Sequence, residues 1–126
     1  DVAIEHARHF QSPHSAILMF QIGGALNELP AGHSPAGNRD AAYVLNIAGS
    51  WEQSADDAQN MAWARDCFEA TRSCSTGGTY VNFLTEEEGR ERIAAAYSAA
   101  DLTRLATLKR KYDPDNLFRH TKSVAA

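Results

Sequence analysis

The stretch AILMFQI at residues 16–22, closed by Gly23 and a second glycine, decides the fold class. It is almost uninterruptedly apolar and short, so we predict a β-strand that is buried on much of both faces. A second stretch of the same type, AYVLNIA at residues 42–48, follows a polar loop at residues 28–40. Two apolar strands joined by a polar loop most economically form an antiparallel pair.

Helical periodicity occupies much of the remaining sequence. Residues 1–12 predict a short helix, Ser54 is expected to cap a longer one, and Asp101 is expected to cap the last one, which ends at Asp113-Pro114. We therefore predict an α+β fold, with helices packed on one face of an antiparallel sheet and a C-terminal helical segment. The apolar stripe of the longer helix is expected to consist of Met61, Ala64 and Phe68, widened by Trp63 and Cys67.

Composition limits the possible functions. A net charge of -4 argues against broad electrostatic binding to nucleic acid, and no run approaches the ~20 apolar residues of a membrane span. Two cysteines in 126 residues exclude a disulfide framework and weakly favour a cytoplasmic location. The first residue is Asp1 and no signal peptide follows, so we expect either a processed chain or a piece of a longer protein.

The stretch YVNFL at residues 80–84 carries the most informative chemistry. Its aromatic and β-branched content predicts a short strand, on which Tyr80 and Asn82 share one face. A phenol can donate or accept a hydrogen bond or, when deprotonated, take a proton, and an amide offers donors and an acceptor. A half-buried edge strand whose polar face meets water explains the same pattern.

The second informative stretch is LKRKYDPDNLFR at residues 108–119. Basic residues suit the C-terminus of a helix, and Asp-Pro forces a turn. Asn116 tolerates unusual backbone angles, and we expect Leu117 and Phe118 to anchor the chain in the core again.

Together these two stretches resemble a known family. GG-x-YVNFL at residues 77–84, followed at this spacing by residues 108–119, is similar to the C-terminal segment of the berberine-bridge-enzyme-like FAD-linked oxidases. FQIGGA at residues 20–25, RDAAY at residues 39–43 and WAR at residues 63–65 resemble the substrate domain of that family. The resemblance extends over most of this chain but only over the C-terminal part of a much longer family member.

The resemblance implies an FAD-dependent oxidoreductase that oxidises an alcohol, sugar or natural product by hydride transfer to flavin. It implies that Tyr80 is a catalytic base at the flavin and that Asn82 and Asn116 lie near the cofactor. Residues 1–76 would end the substrate-binding domain, and residues 77–126 would form the berberine-bridge-like C-terminal segment packed on it as one compact unit. The main FAD-binding domain would be an N-terminal partner within the same protein, so we expect this chain alone to be inactive.

Candidate contacts to a small-molecule substrate lie on the two predicted strands. Gln21 lies on the first strand, and Asn46 and Ser50 lie on one face of the second. If the sheet covers the active site, polar side chains on its exposed face contact the substrate. A solvent-exposed strand face explains the same residues, and Arg39 is equally suited to a structural ion pair.

Two alternative interpretations each explain part of the sequence. The first is a free-standing α+β binding or dimerisation module, in which a second copy covers an exposed apolar sheet face to form a homo-oligomer. The second is a metal site at His6, His9 and His14, since His6 and His9 share a helix face. Spacing fixes no third ligand, so we predict no metal site.

Overall fold

The computed structural model of the protein describes residues 1–30, 32–85 and 88–119, and the chain divides into two compact units. The first unit comprises residues 1–21 and 43–76, and the second comprises residues 22–42 and 77–126. The segment between the two strands therefore belongs to the unit that also contains Tyr80. Each unit combines segments that are distant in sequence.

The predicted antiparallel pair of strands is confirmed. Strand β1 (Ala16–Gln21) pairs with strand β2 (Tyr43–Ala48), and the register runs from Ala16 opposite Ala48 to Gln21 opposite Tyr43. Helix α1 (Val2–Ala7), shorter than predicted, contacts β1 and helix α3 (Asp57–Thr71), and α3 contacts β2. The α+β fold is confirmed.

The prediction that β1 is buried on much of both faces is wrong. Leu18, Met19 and Phe20 are exposed, and Met19 keeps 62% of its surface accessible. In a wide parallel sheet, helices cover both faces of each strand. The sheet here has only two strands among the described residues, so β1 lacks such cover. The apolar character of β1 therefore leaves an exposed apolar surface on the first unit.

The core of the first unit forms around Trp63 on α3. Its ring contacts the ring of Phe10 with centroids 5.1 Å apart, and its indole Nε1 donates a hydrogen bond to the His6 carbonyl at 3.1 Å. Cys67, one turn further along α3, is fully buried. The buried indole thereby joins α3 to the chain segment that contains α1.

The beginning and the buried face of α3 differ from the prediction. Ser54 lies in a 3₁₀ turn (Ser54–Asp56) that precedes α3, and neither helix start has a side-chain cap. The buried residues of α3 are Asn60, Trp63 and Cys67, whereas Phe68 is 42% exposed. Trp63 and Cys67, which were predicted to widen the stripe, are therefore confirmed as buried, but the stripe is centred on them and so is rotated by one residue, about 100°, from Met61, Ala64 and Phe68.

The second unit contains three α-helices within its described residues. They are α2 (Ala25–Glu28), α4 (Arg90–Ala94) and α5 (Ala99–Tyr112). The N-cap of α5 is Ser98, whose hydroxyl accepts a hydrogen bond from the Asp101 amide at 3.1 Å. The prediction that Asp101 caps α5 is therefore wrong by three residues, because the shorter serine side chain reaches the free N–H group.

The predicted strand at residues 80–84 is also wrong. Val81–Phe83 forms a 3₁₀ turn, in which Phe83 N donates to Tyr80 O at 3.0 Å and Leu84 N donates to Val81 O at 3.3 Å. In the part of the chain that the structure describes, the only sheet consists of β1 and β2. A segment with strand-forming residues but no strand beside it satisfies its backbone groups locally.

The end of α5 confirms the predicted stop at Asp113 but not the predicted anchor after it. The helix ends at Tyr112, whereas Leu117 and Phe118 are 71% and 68% exposed. These two side chains extend the exposed apolar surface of the second unit instead of entering a core. No helix among the described residues has the length and apolar character needed to cross a membrane.

Candidate functional site

Tyr80 and Asn82 lie side by side although the segment is a turn and not a strand. Asn82 Nδ2 donates a hydrogen bond to the Tyr80 hydroxyl at 2.7 Å. The Tyr80 ring meets the Phe83 ring edge to face, with centroids 4.9 Å apart and planes at 86°. The ring is 48% exposed, so the phenol is oriented on two sides and open on the rest.

The backbone just before Tyr80 is held from a distant part of the second unit. Asn38 Nδ2 donates to the Thr79 carbonyl and to the Ala95 carbonyl, each at 3.2 Å. Gly77, two residues before Thr79, has a φ of +84°, which favours glycine. The segment that leads into the Tyr80 turn is therefore shaped by the positive φ of Gly77 and held by the Asn38 amide.

Among the described residues, Arg39 bonds to carbonyl and hydroxyl groups and not to the carboxylate that the ion-pair interpretation requires. Its guanidinium donates to the Ala36 carbonyl at 3.2 Å, the Leu26 carbonyl at 3.0 Å and the Ser34 hydroxyl at 2.5 Å. These bonds join Arg39 to helix α2 through the Leu26 carbonyl and to the following loop through Ala36 and Ser34. Arg39 thereby shapes the loop from which Asn38 projects.

Asn116 lies in a tight turn after α5. Its φ is +52°, as the sequence indicated, and its backbone N–H donates to the Asp113 carbonyl at 3.1 Å. The Asp113 carboxylate accepts from Leu117 N at 2.7 Å, from Phe118 N at 3.1 Å and from the Lys109 ammonium. The Asp113 side chain therefore organises the backbone on which Asn116 lies.

These donors also determine the acid–base behaviour of Asp113. The hydrogen bond from Lys109, reinforced by the two backbone N–H groups, lowers the pKa of the Asp113 carboxyl below its ordinary value. Asp113 therefore stays ionised over the neutral pH range. The resulting charge-assisted bonds hold the turn around Asn116.

The three candidate substrate contacts do not form one cluster. Gln21 pairs with Tyr43 and Asn46 pairs with Leu18, so the register puts Gln21 and Asn46 on opposite faces of the sheet. Ser50 follows β2, where its N–H donates to the Ser15 hydroxyl at 3.2 Å and its carbonyl accepts from that hydroxyl at 3.3 Å. These residues belong to the first unit, whereas Tyr80, Asn82 and Asn116 belong to the second.

The histidines of the first unit bind different partners. His6 Nδ1 lies 3.0 Å from the Val2 carbonyl, His9 Nε2 lies 3.3 Å from Glu5, and His14 Nε2 lies 3.2 Å from Glu52. Within the described ranges, no three His, Cys, Asp or Glu side chains converge in a way that could hold a metal ion. Of the two thiols, Cys67 is buried, which raises its pKa, and Cys74 is exposed.

Sequence reasoning missed Asn38, which lies in the segment predicted as a surface loop. The Gly37-Asn38 dipeptide is a signal for a left-handed turn, and the φ of Asn38 is indeed +58°. That signal does not reveal which carbonyl groups the amide reaches, because they lie 41 and 57 residues away in sequence.

Comparison with known proteins gives these residues a context. A family model described as berberine and berberine like matches residues 79–125. The match begins one residue before Tyr80 and includes Asn82 and Asn116. Tyr80, Asn82 and Asn116 thus lie within the matched segment, whereas Asn38 of the same unit and the candidate residues of the first unit lie outside it.

Individual relatives match a larger part of the chain. It is 24% identical over 124 residues to the aclacinomycin-N/aclacinomycin-A oxidase of Streptomyces galilaeus, covering 86% of this chain and 23% of the relative. It is 27% identical over 126 residues to the FAD-linked oxidoreductase YgaK of Bacillus subtilis (strain 168), covering 97% and 27%. It is 32% identical over 94 residues to the (R)-6-hydroxynicotine oxidase of Paenarthrobacter nicotinovorans, covering 72% and 20%.

By these matches the chain is similar to a portion of the FAD-linked oxidoreductases. Within that class, the resemblance to the berberine-bridge-enzyme-like oxidases is confirmed by the family match over residues 79–125. The chain spans about a fifth to a quarter of the length of the relatives it matches.

Proposed function

We propose that the protein to which this chain belongs is an FAD-dependent oxidoreductase that oxidises an alcohol, sugar or natural product. One observation carries the proposal: the berberine-like match at residues 79–125 begins where a phenol and an amide are joined by a 2.7 Å hydrogen bond. Two relatives named as oxidases, of aclacinomycin and of (R)-6-hydroxynicotine, support the same reaction class.

The residues present suit one side of a flavin site. Tyr80 presents an exposed aromatic ring with a hydroxyl group, and Asn82 presents an exposed amide beside it. Such groups stack on or hydrogen-bond to a planar heterocycle such as flavin. We propose that Tyr80 and Asn82 contact the cofactor and that Asn116, on its tight turn, brings the terminal segment toward it.

We propose that Tyr80 accepts the proton that the substrate hydroxyl releases during the reaction. Oxidation of a C–H next to a hydroxyl releases a hydride and a proton, and FAD, when bound, supplies the hydride acceptor. Tyr80 Oη, as phenolate, takes the proton from the substrate hydroxyl. Asn82 Nδ2 donates to that oxygen from one side, so the remaining lone pairs face away from the amide, toward the exposed side of the ring.

We propose substrate contacts for Gln21, Asn46 and Ser50 on the first unit. Because Gln21 and Asn46 lie on opposite faces of the sheet, one small substrate reaches only one of them directly. Of these two residues, Asn46 is half-buried, whereas Gln21 is exposed at the end of β1. Single alanine variants of these two residues therefore separate the substrate-facing side of the sheet from the other side.

We propose further that residues 1–76 end the substrate-binding domain and that residues 77–126 are the berberine-like segment. The main FAD-binding domain is the proposed partner, and the isolated chain is proposed to be inactive. The exposed apolar side chains of both units support a missing partner, among them Met19, Leu117 and Phe118. A second copy of the chain would cover such surfaces as well, which is the competing prediction of a dimerisation module.

A flavin-binding experiment distinguishes these possibilities. We expect the chain alone to purify without a visible flavin band, and added FAD to keep its full fluorescence. The complete protein serves as the control and should carry stoichiometric flavin. A flavin band from the isolated chain would contradict the proposal, and a stable flavin-free dimer in sedimentation would support the dimerisation module instead.

A further inference from the structure

The loop between the two strands is hydrogen-bonded to the segment that contains Tyr80. One nitrogen, Asn38 Nδ2, reaches the carbonyl group just before Tyr80 and the carbonyl group of Ala95, both at 3.2 Å. A single half-buried amide therefore joins three chain segments of the second unit: the loop, the Tyr80 turn and the end of α4.

Two glycines make this close approach possible. A Cβ on Gly78 would lie 2.2 Å from Asn38 Oδ1, and a Cβ on Gly37 would lie 2.5 Å from the Ala96 carbonyl oxygen. Both distances are shorter than ordinary Cβ contacts, so an alanine at Gly37 would require a backbone shift and an alanine at Gly78 would displace the Asn38 side chain. The backbone therefore packs closely at both glycine positions, next to Asn38 in sequence at Gly37 and against its side chain at Gly78.

The Tyr80 turn needs this external support. Its own backbone bonds are those of a single 3₁₀ turn, and one hydrogen-bonded turn is not stable in isolation. Phe83 and Asn82, which orient the phenol, belong to the same turn and move with it. The bond from Asn38 to the Thr79 carbonyl is a described side-chain bond that ties the residue before this turn to the loop between the strands.

We propose that Asn38 is a positioning residue for Tyr80, so that the proton-accepting oxygen stays at the place where the substrate hydroxyl arrives. This inference rests on the proposed function. Asn38 itself touches neither substrate nor cofactor in it. A displacement of about 1 Å in a reacting group costs on the order of 100-fold in rate, so loss of this support should be visible in the chemical step.

The test uses Asn38→Asp in the complete, flavin-loaded protein. The aspartate has the same size but no N–H donor, and its charge repels the two carbonyl oxygens. We expect the rate of flavin reduction by substrate to fall about 10- to 100-fold. Asn27→Asp on α2 introduces the same charge in the same unit and should leave the rate unchanged.

A double-mutant cycle with Tyr80→Phe separates positioning from general damage. If Asn38 acts through Tyr80, Asn38→Asp has no further effect on flavin reduction once the hydroxyl is gone. Multiplicative rate losses in the double variant would overturn the inference. A normal reduction rate in Tyr80→Phe alone would instead overturn the role that the proposed function gives to Tyr80.

A second readout does not depend on activity. Gly78→Ala keeps Asn38 but pushes its amide away, so hydrogen exchange at the Phe83 and Leu84 amides should accelerate in the chain, while exchange in α5 is unchanged. If Asn38→Asp fails to fold, Asn38→Gly suits the positive φ and removes the same two bonds. Unchanged exchange in Gly78→Ala, or an unchanged reduction rate in the folded Asn38 variant, contradicts the inference.

Discussion

The two units of the chain are stabilised in different ways. In the first unit, Trp63 and Cys67 are buried on α3 and the two strands pair in register. In the second unit, the buried apolar residue among those described is Ala96, and side chains bonded to backbone groups provide the order instead. Asn38, Arg39, Ser98 and Asp113 are these side chains.

The difference explains where the candidate chemistry lies. Apolar burial is non-directional and tolerates repacking, whereas hydrogen bonds to carbonyl and N–H groups fix the positions of particular backbone atoms. The second unit uses such bonds to hold Tyr80 and Asn116 at the surface. Apolar surface left exposed on both units is what we expect if the chain packs against the proposed FAD-binding domain.

The largest expected effect is on the core of the first unit. Trp63→Ala removes the indole that contacts Phe10 and bonds to the His6 carbonyl, and we expect a loss of about 3–5 kcal/mol in the free energy of unfolding. Urea unfolding followed by circular dichroism measures it. Trp51→Ala removes a less buried indole and should cost clearly less, and equal losses would contradict the view that Trp63 organises this core.

A smaller effect is expected at the helix cap of the second unit. Ser98→Ala removes the acceptor for the Asp101 amide and should cost about 1 kcal/mol of stability. Ser54→Ala is the matched control, because Ser54 also precedes a helix but makes no capping bond. Its change should stay within about 0.5 kcal/mol, and a larger cost at Ser54 than at Ser98 would reverse the assignment of the caps.

The smallest expected effect is a pH dependence at the end of α5. Because the pKa of Asp113 is lowered in the folded chain, its stabilising contribution is present above the unfolded carboxyl pKa and is lost as the pH falls through the folded one. Hydrogen exchange at the Leu117 and Phe118 amides should therefore gain protection above that acidic range. Asp113→Asn should abolish this pH dependence.

The matched control for that measurement is Asp115→Asn, two residues further along the same turn. We expect it to retain the protection of the Leu117 amide and its pH dependence, since the bond to that amide comes from Asp113. Loss of the pH dependence in Asp115→Asn, or its persistence in Asp113→Asn, would contradict the assignment.

The strand pair and the end of α5 could be predicted from the sequence. An apolar run bounded by glycines at residues 16–22, and Asp113-Pro114 after a periodic segment, are local signals that depend on no distant contact. The family resemblance likewise depends only on the sequence, namely on the motifs at residues 77–84 and 108–119 and the spacing between them. These features are therefore the ones that the structure and the comparisons confirm.

The conformation of the Tyr80 segment could not be predicted in the same way. Its residues favour a strand, but a strand forms only beside another strand, and the described chain supplies none there. Asn38 was missed because the Thr79 and Ala95 carbonyl groups become its neighbours only after folding. The prediction that β1 is buried was wrong for a related reason, because burial of a strand depends on which other elements cover the sheet.

Stopped-flow measurement of flavin reduction in the complete protein tests whether Tyr80 takes the proton of the substrate hydroxyl, as we propose. Tyr80→Phe keeps the ring and its contact with Phe83 but removes the oxygen that Asn82 binds. We expect reduction by substrate to slow by about 100-fold or more, with flavin content and unfolding midpoint unchanged. An unchanged reduction rate in this variant would contradict the proposed role of Tyr80.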